Sequence, residues 1–152
     1  MQSSRESIGR LIAQVARNWR RAVNARMAPL GLTDATWSPL LFLGRVGPAR
    51  QGELADYLGL DRSSVVRLID TLEAHGLVER QEDPDDRRAK RIVLTEAAAP
   101  VLAKAQAAAQ SVRAAALKGL SSADLARAEA VLDSILANLH APTTETHGSE
   151  AA

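Results

Sequence analysis

The chain has 152 residues, 46% of them hydrophobic, with 19 Lys or Arg against 18 Asp or Glu for a net charge of +1. That length supports one ordinary core, in one domain or two closely joined lobes. The near-neutral total gives no whole-molecule nucleic-acid signature, and the absence of cysteine excludes disulfides, thiolate metal sites and thiol-based redox sensing.

In chain order, the opening MQSSRES lacks an apolar signal core, and no run approaches the ~20 apolar residues of a membrane span. The expectation is a soluble, cytoplasmic protein with no membrane partner. Ile8, Leu11, Ile12, Val15, Trp19, Ala22 and Val23 recur at three- and four-residue steps, predicting an amphipathic helix from about Ser7 to Ala28, stopped near Pro29 and Gly31. Thr33 can cap a second helix running to about Val46, before Gly47-Pro48. Pro39 inside that span must kink the helix or delay its start, because it removes a backbone donor and crowds the preceding turn.

Gln51–Leu58, the turn Leu58-Gly59-Leu60-Asp61 and a helix from about Arg62 to Ala74 form a helix–turn–helix. On a 100° wheel the second helix turns Val65, Leu68, Ile69 and Leu72 inward. Ser63, Ser64, Arg67, Asp70, Thr71 and Ala74 face outward, a small and polar surface that leaves room to approach a groove. Two β-prone runs follow, Leu77–Arg80 and Arg91–Thr95, around the charged turn Asp83-Pro84-Asp85-Asp86-Arg87-Arg88. A hairpin arm on such a helix pair reads as the wing of a DNA-binding module. Charge demands careful placement here: residues 45–95 hold nine basic and ten acidic groups, so contact with DNA requires basic groups on one face and carboxylates elsewhere.

Thr95 is expected to cap a helix of about Glu96–Gly119, bent by Pro100 in its second turn, and Ser121 to cap a last helix of about Ser122–His140. Leu125, Ala128, Val131, Leu132, Ile135, Leu136 and Leu139 stripe that last helix. The outer helices offer more apolar surface than the small reading lobe can cover, and a second copy is the natural cover. The tail 141–152 has no periodicity and is expected to be disordered.

These residues bring a family into view. LADYLGLDRSSVVRLIDTLEAHGLVER followed by DPDDRRAKRIVLTE resembles the MarR family of winged-helix regulators, and the likeness extends over nearly the whole chain through MAPLGLT with Trp37 and VARNWRRA. The run Asp86–Ile92 with Leu94-Thr95 is particularly similar to the SlyA branch. The resemblance implies a mainly α fold with a small β-wing, a winged helix-turn-helix lobe joined to an all-helical dimerisation lobe. The corresponding division is an N-terminal dimerisation helix (1–32), a DNA-binding domain (33–96), dimerisation helices (97–140) and the tail (141–152). It further implies a homodimer on double-stranded DNA, with a wing Arg in the minor groove held by the Asp two positions earlier, here Arg88 and Asp86.

For DNA contact the candidates are Arg62, Ser63, Ser64, Arg67 and Thr71 on the recognition helix, and Asp86, Arg87, Arg88 and Lys90 on the wing. Arg can grip guanine or phosphate, and hydroxyls serve base edges or phosphates. The plain alternatives are an Arg67 ion pair with Asp70 or Glu73, and wing charges that only pair with one another. The family's small aromatic carboxylate or phenolic effectors map onto Arg17, Arg20 and Trp37, whose chemistry suits an aromatic anion. Trp37 serves equally as a core aromatic and the arginines as a solvated face. An enzyme is not expected: there is no glycine-rich phosphate loop, His75, His140 and His147 are scattered, and no cofactor or metal is implied. The competing reading is a winged helix for protein–protein contact without DNA affinity.

Overall fold

The first helix, α1, runs Ser4–Met27 and passes into a short 3-10 turn, Ala28–Leu30, which Gly31 closes at φ 71°. Helix α2 follows at Asp34–Val46, then strand β1 at Ala49–Arg50, α3 at Gln51–Leu58 and α4 at Arg62–Ala74. Strands β2 (Val78–Glu82) and β3 (Lys90–Leu94) form the wing, and α5 (Ala98–Ala116) and α6 (Ser122–His140) complete the fold. A computed structural model describes residues 4–141 in two compact units, one ending at Ala116 and the other beginning at Leu117. The expectation for the tail lies outside the described residues beyond Ala141.

The mainly helical fold with a small antiparallel sheet is as the sequence implied, with one addition. Two-residue β1 joins the wing to make three strands in the order β1-β3-β2, through Ala49↔Ile92 and Arg50↔Arg91. The hairpin itself pairs Val78↔Leu94 through Glu82↔Lys90. Pro39 does not delay α2; it is buried inside a helix that already begins at Asp34.

The start of α5 is a correction. Thr95 does not cap it: its hydroxyl donates to Gly76 O at 2.5 Å and its backbone N–H to Leu77 O at 3.1 Å, fastening the end of β3 to the start of β2. The helix therefore starts at Ala98, and Pro100 falls in its first turn, where its missing N–H leaves no helical bond unmade. It also ends at Ala116 instead of Gly119.

Two cores hold the first unit. Leu40, Leu43, Leu54, Val65, Ile69, Leu72, Val78 and Ile92 interlock α2, α3, α4 and the sheet. Val23, Met27, Trp37, Ala105 and Val112 join α1, α2 and α5. Gly44 lets α5 lie close against α2, since a Cβ there would stand 2.9 Å from Leu102 methyl carbons. In the second unit α6 is capped as expected, Ser121 Oγ accepting the Asp124 N–H at 3.2 Å, yet none of its residues is buried. No described helix is long and apolar enough to cross a membrane.

Candidate nucleic-acid interface

Gly59 at φ 64° makes the reversal between α3 and α4, and Asp61 caps α4. Asp61 Oδ1 accepts the Ser64 N–H at 2.7 Å and the Ser63 hydroxyl at 2.8 Å. The Ser64 backbone bond first, then the Ser63 hydroxyl, hold the Asp61 carboxyl below its ordinary range. Val65, Ile69 and Leu72 are buried, whereas Arg62, Ser63, Arg67, Asp70 and Thr71 are exposed and Ser64 half-buried. Burial of one face thus leaves the other free in the pattern the wheel gives. Thr71 donates its hydroxyl to Arg67 O at 2.9 Å. With both the Ser63 and Thr71 protons engaged inside the protein, these side chains offer acceptor lone pairs outward.

The wing tip consists of two consecutive turns. Asp86 N–H donates to Asp83 O at 3.3 Å and Ala89 N–H to Asp86 O at 2.9 Å. Each turn begins on an aspartate whose carboxylate also takes an N–H two residues on: Asp83 Oδ1 from Asp85 at 2.9 Å, Asp86 Oδ1 from Arg88 at 3.0 Å. Pro84 presets φ in the first turn, and Arg87 and Arg88 occupy the central positions of the second, at the apex. Asp86 thus grips the Arg88 backbone, while both guanidinium groups stay exposed.

Asp83 is the wing residue that sequence reasoning missed. It is buried at 1% exposure, its Oδ2 taking Arg50 Nε at 2.5 Å and lying 3.3 Å from Arg91 Nε. The hydrogen bond from Arg50, then that from the Asp85 backbone, push its carboxyl down to about 2 despite burial. The same bond to Asp83 raises the Arg50 guanidinium above its ordinary value. The tip is therefore tied to β1, the strand the sequence did not reveal. Arg80 was missed too. From β2 it donates to Asp70 Oδ1 at 2.6 Å and to Glu73 Oε2 on α4. Burial works to lower its pKa, but these bonds outweigh it and hold the guanidinium above its ordinary value.

Together these bonds sort the charges of residues 45–95. From Asp61 to Asp86 every carboxylate accepts a hydrogen bond or lies in an ion pair. Arg50, Arg80, Lys90 and Arg91 pair with them, Lys90 only loosely with Glu82 at 3.9 Å. Arg45 lies 5.4 Å over the Tyr57 ring. Among the described residues, the basic side chains left without an acidic partner in this segment's recognition helix and wing are Arg62, Arg67, Arg87 and Arg88. Arg67 therefore does not pair with Asp70 or Glu73, and the apex arginines Arg87 and Arg88 do not pair with Asp85 or Asp86, Asp85 pairing instead with Arg91.

A sequence profile of the MarR family matches residues 30–89. The chain is similar to the solved transcriptional regulator PA3341, with 43% identity, a TM-score of 0.80, and coverage of 86% of this chain and 96% of that one. A MarR-family transcriptional regulator from Rhodococcus sp. RHA1 is 31% identical with a TM-score of 0.74, covering 89% of this chain and 96% of the other. The chain belongs to the MarR family. It is a winged-helix transcription regulator. Two further structures of similar fold are CouR from Rhodococcus jostii RHA1 bound to p-coumaroyl-CoA (32% identity, TM-score 0.78, covering 89% and 95%) and a mutant MarR from E. coli complexed with operator DNA (27%, 0.71, covering 86% and 94%).

In this MarR-family chain the three residues matched to an effector are engaged in different ways. Arg20 Nη1 pairs with Asp34 Oδ2 at 2.8 Å. Trp37 is buried in the α1–α2–α5 core and donates Nε1–H to Asn24 Oδ1 at 2.8 Å. Arg17 is exposed, and no ion pair engages it among the described residues. An apolar groove of about 390 Å³ lies between α1 and α5, lined by Leu11, Val15, Trp19, Val112 and Ala116 among others, and none of the three residues lines it.

Proposed function

We propose that the chain is a homodimeric, sequence-specific regulator that reads a pseudo-palindromic operator. One α4 enters the major groove of each half-site, with half-sites about 34–36 Å apart. Each wing places Arg88, with Arg87 beside it, in the flanking minor groove. Negative potential in narrow A/T-rich grooves favours such insertion. The observation that carries this reading is the charge sorting: a segment of nearly balanced charge leaves arginines unpaired on the recognition helix and the wing apex. Arg67 serves base edges, Arg62 a phosphate, and Ser63, Ser64, Thr71 and Lys90 flank them, while Asp86 sets the apex backbone. The operator complex of E. coli MarR supports the same direction.

Dimerisation is assigned to α1, α5 and α6, with residues 33–96 reading DNA. Support comes from apolar side chains left in solvent: Leu11 and Val15 on α1, and Val131, Leu132, Leu136 and Leu139 on α6. Within the family we assign the chain to the SlyA branch on its Asp86–Ile92 run, and its work on DNA to the cytoplasm. A small aromatic carboxylate or phenol would act by binding one spacing of the recognition helices more tightly than another. Of the three matched residues, Arg17 is free to meet an anion, Arg20 must exchange Asp34 for it, and Trp37 contributes through packing; CouR with its p-coumaroyl-CoA supports an aromatic acyl ligand in this fold.

Fluorescence anisotropy with the DNA upstream of its own gene, against scrambled DNA at two salt concentrations, tests the reading. The expected result is selective binding by two subunits per site, with a log–log salt slope of about −0.9 per neutralised phosphate. Equal binding to both duplexes with no salt dependence would count against it.

A further inference from the structure

Arg80 has no place at the DNA surface in the reading above, yet it is the cation most fully engaged with the recognition helix. From β2 its Nη2 donates to Asp70 Oδ1 at 2.6 Å and its Nη1 to Glu73 Oε2, while its backbone N–H donates to Glu73 Oε1 at 3.1 Å. Its side chain is 24% exposed, against 59% for Asp70 and 41% for Glu73. The cation is thus the inner partner and the carboxylates the outer ones.

Asp70 shares the outward face of α4 with Arg67 and Thr71. Asp70 lies three positions after Arg67, a spacing at which helical side chains of opposite charge meet. Free of Arg80, Asp70 would hold Arg67 and put negative charge toward phosphate. Bound to Arg80, it does neither, and Arg67 is indeed without an acidic partner among the described residues. The two carboxylates on one side and the Glu73 bond to the β2 backbone on the other also fix α4 against the wing strand.

We propose that Arg80 is a positioning residue for DNA reading: it neutralises Asp70 on the recognition face and Glu73 beside it, keeping Arg67 available, and joins α4 to the wing. This rests on the DNA reading above. Two features separate it from simple fold support. The effect runs through a negative charge, so it must be reversible by removing that charge. It also predicts that loss of Arg80 harms discrimination between sequences and not only affinity.

The test compares the full-length wild type with R80Q, D70N/E73Q and the triple variant R80Q/D70N/E73Q. The probe is a duplex that wild type selects from a random-sequence pool, against its scrambled counterpart, by anisotropy across a salt series. R80Q is expected to bind the selected duplex at least about tenfold more weakly, the scale of one lost bidentate arginine contact, and to discriminate less. The triple variant is expected to recover to within about threefold of wild type, although it lacks the same ion pairs. R80Q that binds like wild type overturns the proposal. So does a triple variant as weak as R80Q, whether because Arg80 itself meets DNA or because the pairs only support the fold. Wild type that retains no duplex from the pool overturns the DNA reading itself, and the positioning role with it.

Discussion

Helices α4 and α6 both carry a regular apolar stripe, and the fold treats them in opposite ways. On α4, Val65, Ile69 and Leu72 are all buried, which leaves the polar face with Arg62, Arg67 and Thr71 in solvent. On α6 no residue is buried, and Leu136 and Leu139 remain 52% and 74% exposed. An apolar stripe matched inside its own unit anchors a helix and frees its other face for ligands. A stripe left in water is surface of the kind that a partner covers, the ground on which dimerisation through α6 is proposed above.

The largest effect should come from the anchored stripe. Ile69→Ala is expected to lower stability in urea by about 2–5 kcal/mol, because the site lies where α3, α4 and the sheet converge. Leu136→Lys should instead leave the helical content unchanged and weaken self-association by at least about tenfold, measured by sedimentation equilibrium, the scale of one interface hot spot. Equal loss of helical content in both variants would erase the distinction between the two stripes.

A smaller effect should appear at the wing in acid. Arg50 and the Asp85 backbone hold the Asp83 carboxyl at about 2, below its value in an unfolded chain. A depressed carboxylate pKa contributes stability that is present above the unfolded value, about 3.9, and drains away as pH falls through the folded one. The wing-tip amide of Asp85 should therefore keep its protection through pH 4 and lose it only near the folded value. Exchange or chemical-shift titration of that amide checks this; opening with a midpoint near pH 4 would show that Asp83 is not held by Arg50. Asp83→Asn should move the acid transition while leaving α4 protected.

How much was legible in the sequence follows from how far apart the partners lie. The bounds of α4 were readable because Gly59, Asp61 and the 65-69-72 spacing are all local. The hairpin was readable for the same reason, with its Asp-Pro turn between β-prone runs. Strand β1 was not, because Ala49–Arg50 is too short to show any alternation and pairs with a strand some forty positions on. The burial of Asp83 escaped because it depends on Arg50, 33 residues away, while Asp86 offered a local partner for the apex. Thr95 carried both a cap signal and a strand-end signal, and the contact with Gly76 O decided it. For the effector candidates, position alone did not reveal that Arg20 and Trp37 have internal partners in Asp34 and Asn24, since each partner lies on another helix.

The central claim is that unpaired arginines, and not net charge, make α4 and the wing read DNA. Arg88→Gln and Arg45→Gln each remove one positive charge, the first from the wing apex and the second from above Tyr57. The measurement is affinity across a salt series, on a duplex that wild type prefers over its scrambled counterpart. Arg88→Gln is predicted to weaken binding about tenfold or more and to make the log–log slope shallower by about 0.9, with Arg45→Gln close to wild type in both. Equal losses in the two variants would contradict the account, since charge alone would then explain the binding.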